Sequence, residues 1–469
     1  MSTRPKKVPS GWRRLAGLLL GIGWVLSPLD ALASDSARSA EAPWRLNDHL
    51  PDRFSLSVQQ RIRYENLSEQ FRVGTDGRSD VVVLRTLVHA RLRLAEGLHF
   101  GAELQDSRAE RTTDTRLDTS IVNTAELLRA YVEWQREDVL GGELEAQLGR
   151  ITMDLGSRRF LARNRYRNTI NAFSGIDVRW KAPSGSQLRG FWTMPLRRRP
   201  TDRRRLEGNR VQNDEESLDQ QFWGLFGSTD TPIGRAEVFL LGLHERDESD
   251  RRTRKRQLYT PGFRLFRAPA EGRWDFAWES AVQLGRSRAS TTGERLTHIA
   301  HFHHFEVGRS LAAPWSPRLA VEYDFASGDE DPGDSQNNRF DTLFGARRFD
   351  WGPTGIYGPF ARSNLHSPGL RLKLRPSRTL TSFLALRSFW LAERRDAWTT
   401  AGLRDTQGSS GRHLGTQFEV RARWDVLPGN LRMEAGYARL FDGEFVRSAP
   451  GSNDPGDIDY FYTQASVTF

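Results

Sequence analysis

A period of two in hydrophobicity, repeated along most of the chain, limits how this sequence can fold more than any other feature. From residue 54 onward, apolar and polar side chains alternate in segments of about ten residues. Arginine dominates the polar positions: Arg61 and Arg63 in the first segment, Arg85, Arg91 and Arg93 in the second, and Arg421 and Arg423 late in the chain. A soluble sandwich also alternates, but it rarely places so much arginine on one face. The pattern is typical of a membrane barrel with an apolar outside and a charged inside.

About 18 such segments are present, from one near 54–65 to one near 459–469, and the spacers between them alternate in length. The long spacers include 66–82, 107–123 and 151–173, and the short ones include 95–97, 136–142, 182–185, 228–233, 376–378 and 425–429. Short periplasmic turns and long extracellular loops produce this asymmetry in outer-membrane barrels. The sequence therefore predicts an all-β, antiparallel transmembrane β-barrel of about 18 strands, with both termini in the periplasm.

The N-terminus has the features of an export signal. A basic start, which includes Arg13 and Arg14, precedes a short apolar stretch from Leu15 to Leu26. Ala31-Leu32-Ala33 then fits a cleavage site, whereas a membrane anchor needs a longer apolar run. We therefore expect a signal peptide at residues 1–33, a short periplasmic segment at 34–53 and a transmembrane barrel at 54–469.

The C-terminus supports the same destination. Phe469 ends an amphipathic segment in which Phe461, Ala465 and Val467 share one face. A terminal aromatic residue on such a strand is the signal that the barrel-assembly machinery reads. The sequence predicts the bacterial outer membrane as the location, with outer-membrane lipid and lipopolysaccharide as neighbours.

The charge of the chain comes almost entirely from arginine. Its 469 residues carry 69 basic and 59 acidic side chains, and the only lysines are Lys6, Lys7, Lys181, Lys255 and Lys373. A guanidinium group binds carboxylates through two parallel hydrogen bonds and stays charged when it is half-buried. Because the arginines occupy alternate strand positions with balancing glutamates in a secreted chain, we do not predict nucleic-acid binding.

Inward rows of arginine predict a path for anions. Successive inward residues on a strand lie about 6.6 Å apart, which is close to the carboxylate spacing of an extended uronate polymer. Inward acids are expected to pair with some of the arginines and so prevent trapping of the polyanion; these are Glu65, Glu103, Glu133, Glu279, Glu419 and Glu434. The alternative is that such pairs only satisfy one another in a wet lumen.

Several stretches occur in order along the mature chain: Arg61-Ile62-Arg63-Tyr64-Glu65, Leu84-Arg85-Thr86, Glu103 to Arg108, Gly149-Arg150, Gly156 to Arg159, Ala326 to Asp329, Arg339 to Asp350 and Gly355 to Gly358. Together they resemble the alginate export family of outer-membrane barrels. The resemblance implies an 18-stranded, anion-selective export pore for a uronic-acid polysaccharide. Some exporters of this type close the lumen with an extended late periplasmic turn, and the turn at 425–429 is too short for that role.

The candidate pore residues follow from the inward rows and from the arginine-rich spacers. They are Arg61, Arg63, Arg85, Arg91, Arg93, Glu103, Arg129, Glu133, Arg158, Arg159, Arg347, Arg348, Arg421 and Arg423. The segment from Gly156 to Asn168 is predicted to fold towards the mouth or into the lumen as a constriction, with a solvated loop as an equal alternative.

The longest predicted loop, 328–367, also carries Arg362. It begins with Gly328 to Asp334, which resembles a calcium loop but lacks the glycine and the closing glutamate of an EF-hand. No cofactor is predicted apart from an adventitious calcium ion in this loop, and a plain polar turn is the simpler alternative.

Other clusters admit weaker hypotheses. The basic clusters at Arg197–Arg205 and Arg251–Arg256 could contact lipopolysaccharide phosphates or gather polymer, or could be solvated loops. Among His298, His301, His303 and His304 only the middle two are expected to share a face, and no carboxylate completes a metal site.

Two rival functions deserve comparison with an export pore. An enzyme is not expected, because Ala172-Phe173-Ser174-Gly175 lacks the first glycine of a nucleophile elbow. A general porin that takes up small anionic metabolites or oligosaccharides is the closer rival, since import and export pores share the same lumen physics. The predicted partner is therefore an anionic polysaccharide or a small anionic solute.

Overall fold

The computed structural model describes residues 43–111, 113, 116–249 and 251–469, and in these residues 18 strands form one closed antiparallel barrel. This confirms the predicted fold class. The predicted signal peptide lies outside the described residues. In chain order the barrel strands are β1 (Phe54–Leu67), β2 (Ser79–Ala95), β3 (Leu98–Arg111), β4 (Asn123–Val139), β5 (Gly142–Ile151), β6 (Phe173–Lys181), β7 (Gln187–Pro195), β8 (Gln220–Thr231), β9 (Gly234–Glu245), β10 (Gln257–Arg267), β11 (Trp274–Arg288), β12 (Arg295–Ser310), β13 (Arg318–Ala326), β14 (Leu365–Leu374), β15 (Leu380–Trp390), β16 (His413–Leu427), β17 (Leu431–Asp442) and β18 (Ile458–Thr468).

The barrel closes where its first and last strands meet. Each strand pairs with its neighbour in the chain, and β1 pairs with both β2 and β18. Arg61 of β1 lies opposite Ser466 of β18 on one side and Arg85 of β2 on the other. Closure leaves no free edge, which a membrane requires because lipid cannot satisfy backbone polar groups.

The two faces of the wall have opposite chemistry. Large apolar side chains such as Ile62, Leu148 and Leu225 point outwards and are exposed, whereas the arginines and acids at alternate positions are buried inside. An apolar surface of this extent is a lipid contact rather than a water-facing surface. Several tryptophans lie on this outer face, as is typical of the aromatic girdles at membrane interfaces: Trp134, Trp192, Trp274, Trp278 and Trp424.

Loop lengths follow the predicted asymmetry. Short turns such as 96–97, 140–141 and 428–430 lie at one end, and long loops such as 196–219 and 327–364 lie at the other. The strands often extend beyond the predicted ends on the loop side. For example, β3 was expected to end near residue 106, but it pairs with β2 as far as Arg111 because backbone pairing continues where the hydrophobic alternation fades.

Short helices complete the described structure: a 3₁₀ helix at Leu46–His49, α1 at Arg203–Glu207, α2 at Arg348–Trp351 and α3 at Glu444–Ser448. No helix in the described part of the chain is long and apolar enough to cross a membrane. The segment before β1 is held at the short-turn end, where Trp44 stacks on Phe469 at 6.0 Å between ring centroids. Asn430 donates to the carbonyls of both Trp44 and Thr468.

Candidate functional site

Two long loops occupy the lumen. We call residues 152–172, between β5 and β6, inner loop A, and residues 327–364, between β13 and β14, inner loop B. They pair with each other through a parallel β-bridge between Leu161, which is buried, and Phe344, which is half-buried. A Cβ atom on Gly345 would lie 1.7 Å from the Arg159 carbonyl oxygen, so only glycine permits this crossing. The crossing loops form a constriction.

Inner loop A is fastened to the wall at β1 and β2. The guanidinium groups of Arg61, Arg63 and Arg85 donate to backbone carbonyls of residues 165–167, at distances from 2.9 to 3.2 Å. Arg63 also pairs with Glu65 at 2.8 Å. These predicted pore arginines point inwards as expected, but most of their hydrogen-bond acceptors belong to the loop; Arg85 also donates to Gln59 of β1 at 3.1 Å.

The opposite wall holds both loops through a buried ion cluster. Arg159 of inner loop A pairs with Glu279 of β11 at 2.7 Å and with Asp350 of α2 at 2.8 Å. Arg362 of inner loop B also pairs with Asp350, and Arg159 contacts His304 of β12 at 2.9 Å. A buried carboxylate shared by two guanidinium groups is strongly held, since removing it leaves uncompensated charge.

The cluster continues into β13, β14 and β15. Arg371 and Arg387 donate to the Asp350 carbonyl at 2.8 and 3.1 Å. Their guanidinium groups also pair with inward carboxylates, Arg371 with Glu322 at 3.0 Å and Arg387 with Asp324 at 2.7 Å. The wall therefore grips α2 from several strands at once.

Inner loop B is also fixed beside β1. The Ile356 backbone N–H donates to Glu65 Oε2 at 2.9 Å, and Arg72 donates to the carbonyls of Ile356 and Tyr357. Gly355 has a left-handed φ of +72°, and a Cβ atom there would lie 2.1 Å from Glu65 Oε2. Inner loop B thus bridges the lumen between β1 and β13–β15.

Every inward acid singled out from the sequence lies against an arginine. The pairs are Glu65 with Arg63, Glu103 with Arg129 and Arg163, Glu133 with Arg91, Glu279 with Arg159, Glu419 with Arg348, and Glu434 with Arg423. The predicted pairing is present in the structure. In several cases, however, the partner belongs to an inner loop, so the pairs also close the pore.

A second group of arginines lies between the inner loops and the short turns. We call Arg91, Arg93, Arg421 and Arg423 the periplasmic arginines. Arg91 and Arg423 are half-buried and paired with Glu133 and Glu434, at 2.8 Å for Arg423. Arg93 is exposed, and Arg421 lies 4.6 Å above the Phe383 ring; neither pairs with a carboxylate of the described residues. The four periplasmic arginines therefore outnumber the carboxylates that pair with them, Glu133 and Glu434.

The remaining candidates lie at the constriction. Arg129 is 4.4 Å from the Tyr131 ring centroid and shares Glu103 with Arg163. Arg158 and Arg347 have no carboxylate partner in the described chain; Arg158 lies 5.2 Å from the Phe349 ring, and Arg347 donates to the Phe360 carbonyl at 2.7 Å. The segment from Gly156 to Asn168 thus lies inside the lumen, and the solvated-loop alternative is wrong.

Several residues that hold the constriction are not among the candidates predicted from the sequence: Asp324, Asp350, Arg362, Arg371 and Arg387. Alternation could have identified those on strands, because Asp324, Arg371 and Arg387 occupy inward positions. No local pattern marks Asp350, because its role depends on where the loop runs.

The histidine and calcium hypotheses have different outcomes. His301 and His303 share the outer face and contact each other at 3.0 Å, while His298 and His304 share the inner face, a pairing that the sequence analysis overlooked. In the described residues, no group of three or more His, Asp or Glu side chains is arranged to hold a metal ion. Calcium binding at Gly328–Asp334 stays a prediction.

The external basic clusters are largely neutralised. Arg197 pairs with Glu248 at 2.8 Å, and Arg256 pairs with Glu245 at 3.0 Å. Contact with lipopolysaccharide phosphates stays a prediction for the exposed members of these clusters.

One carboxyl group in the external loop 196–219, that of Asp214, is a weaker acid than usual. Burial, reinforced by the charge of Glu126, raises the pKa of Asp214 to about 6. Asp214 Oδ1 accepts from Asn123 Nδ2 at 2.7 Å and from the Arg199 backbone N–H at 2.9 Å. A raised pKa means that protonation favours the folded loop, so this contribution is present below about pH 4 and is lost as the pH rises through about 6.

We therefore expect amide protection in residues 209–219 to fall by roughly ten- to a hundredfold between pH 4.5 and 7.5, beyond the intrinsic exchange dependence. Hydrogen-exchange mass spectrometry of the purified barrel measures this change. Asp214→Asn keeps an acceptor oxygen without the charge and should abolish the pH effect. Equal protection at both pH values in the unmodified protein would contradict the assignment.

The closed 18-stranded wall, its apolar outside and its arginine-lined lumen define an anion-selective outer-membrane pore. The chain matches the alginate export family over residues 52–456, and it belongs to that family. A search of curated proteins gave no match.

Solved structures share the fold at low identity. Pseudomonas aeruginosa OccK9 (OpdG) is 15% identical with a TM-score of 0.57, over 89% of this chain and 98% of that one. Acinetobacter baumannii OccAB3 is 12% identical with a TM-score of 0.56, over 89% and 99%. Pseudomonas aeruginosa OccK2 (OpdF), solved in complex with glucuronate, is 13% identical with a TM-score of 0.55, over 89% and 98%.

Proposed function

We propose that this pore exports an alginate-like anionic polysaccharide from the periplasm. The observation that carries the proposal is the position of the periplasmic arginines on the periplasmic side of the constriction. Two of them, Arg93 and Arg421, pair with no carboxylate among the residues that the structure describes. They present positive charge to a polymer that arrives from the periplasm. Family membership supports the same substrate class.

The arrangement suits a polymer that must keep moving. A guanidinium group can bind a carboxylate through two parallel hydrogen bonds. The half-buried Arg91 and Arg423 can exchange their partners, Glu133 and Glu434, for the carboxylate of a passing polymer. Conduction needs binding that is favourable but weak and repeated at many sites. Neighbouring glutamates keep each contact weak.

The alternative is uptake of small anionic metabolites or oligosaccharides. The glucuronate complex of a protein with the same fold is the observation that favours it. The two functions use the same lumen and differ in the size of the solute and in the side from which it arrives.

Oriented planar bilayers test the proposal. Polyuronate added to the periplasmic chamber at low ionic strength should reduce the anion current more than the same addition to the external chamber, and neutral dextran of equal length should not reduce it. Low salt is required because screening weakens exposed charges. A paired Arg93→Gln and Arg421→Gln variant should lose the block, whereas Arg93→Lys with Arg421→Lys should retain part of it.

A cation-selective or silent barrel would exclude an anion pore. Block by glucuronate from the external side, with no effect of the polymer from either side, would favour uptake over export.

A further inference from the structure

Two adjacent arginines are buried in the lumen without a contacting carboxylate in the described part of the chain. Arg61 and Arg85 face each other on β1 and β2, and their exposed fractions are only 2% and 4%. Neither forms an ion pair with a carboxylate of the described residues. Other lumenal arginines at similar depth do so, such as Arg348 with Glu419 at 2.7 Å.

Neutral oxygens accept their hydrogen bonds instead, and most of these oxygens belong to inner loop A. Arg61 donates to the carbonyls of residues 165, 166 and 167 and to Asn168 Oδ1. Arg85 donates to the carbonyls of residues 165 and 167 and to Gln59 Oε1 of β1. The Nε atoms of both arginines are buried without an acceptor in the described structure. Two adjacent buried cations are therefore solvated by neutral oxygens, mainly the backbone carbonyls of inner loop A.

We propose that Arg61 and Arg85 form a carboxylate-binding site that inner loop A occupies at rest, and that a uronate carboxylate displaces the loop from it. A charged acceptor forms hydrogen bonds about twice as strong as those of a neutral carbonyl. It also brings a negative charge into direct contact with both guanidinium groups, which matters most where water is excluded.

Binding at this site opens the constriction, because residues 165–168 must leave before a carboxylate can reach both guanidinium groups. A ligand shifts a conformational equilibrium by its difference in affinity between the two states. The uronate binds only the state in which the loop has been released. The inference rests on the proposed function, because it requires that uronates reach the lumen. It adds that the substrate itself displaces inner loop A, which acts as a gate.

A single introduced thiol reports the position of the loop. Ser107 is fully buried beneath inner loop A, and its Oγ donates to the Asn168 carbonyl at 2.7 Å. The chain has no cysteine, so Ser107→Cys provides the sole thiol. A control variant, Ser55→Cys, places the thiol at an exposed position on β1 near the periplasmic end.

In the full-length barrel, uronate oligomers should accelerate modification of the Ser107→Cys thiol by a charged methanethiosulfonate reagent by about tenfold or more, as expected for exchanging a neutral for a charged acceptor. Neutral oligosaccharides of equal length should have no effect, and the Ser55→Cys variant should show no acceleration. Adding Arg61→Gln and Arg85→Gln should make the reaction fast without ligand and insensitive to uronate.

Hydrogen exchange of residues 163–171 in the unmodified protein provides a second measurement that does not depend on folding of the thiol variant. Uronate should reduce amide protection there. If uronate blocks the bilayer current but changes neither the rate of thiol modification nor this amide protection, the proposed displacement of inner loop A is wrong while the pore proposal stands. If uronate exposes the loop but the polymer shows no preference for the periplasmic side, the site stands and export fails.

Discussion

Asp350→Ala is expected to raise the single-channel conductance several-fold and to lower the thermal stability of the barrel. Asp350 joins α2 to Arg159 of inner loop A and to Arg362 of inner loop B. Removing one partner of a buried ion pair typically costs about 3–5 kcal/mol, because it leaves an uncompensated charge. Release of this shared anchor should free both loops, and planar-bilayer recording and thermal melting measure the two effects.

Two variants frame this result. Asp350→Asn keeps the shape and one acceptor, so an intermediate conductance is expected. Asp230→Ala removes an exposed carboxylate that pairs with Arg235 on the short-turn side, and it should change stability by less than about 1 kcal/mol and leave the conductance unchanged. A destabilised Asp350→Ala barrel with the original conductance would show that the loops are held in place by other contacts.

Reversing the charge of the two unpaired periplasmic arginines is expected to remove the anion selectivity. In the Arg93→Glu and Arg421→Glu double variant, the anion-to-cation permeability ratio should fall by about tenfold, which corresponds to a change of roughly 1.4 kcal/mol in relative barrier height. The reason is that both side chains occupy inward positions of the barrel wall, where a permeating ion passes their charge. Reversal potentials in a salt gradient measure the ratio.

A charge-matched control separates local from overall electrostatics. Arg204→Glu with Arg252→Glu changes the net charge by the same amount, but both residues are exposed on external loops. Selectivity should change little in this control, because exposed charges beyond about 10 Å are screened at 0.1 M salt. Equal losses in the two double variants would indicate that overall charge, not the periplasmic arginines, sets selectivity.

The alternation of single segments predicted much of the architecture. In β2 it placed Arg85, Arg91 and Arg93 on one face and Leu84, Val88, Leu92 and Leu94 on the other, and the barrel has this orientation. The same rule placed Arg421 and Arg423 inwards. Strand ends were predicted less well, because hydrogen-bonded pairing continues beyond the membrane where lipid no longer requires alternation.

The sequence by itself determined the barrel, its orientation and the inward direction of its arginines, because period-two alternation and loop length are local properties of the chain. Only the tertiary structure decided which arginines remain available to a solute. Arg61 and Arg93 occupy equivalent inward positions, yet one binds the carbonyls of inner loop A and the other is exposed. The difference arises because inner loop A, more than 100 positions away from Arg61 along the chain, crosses the lumen at the level of Arg61. It leaves the level of Arg93 open.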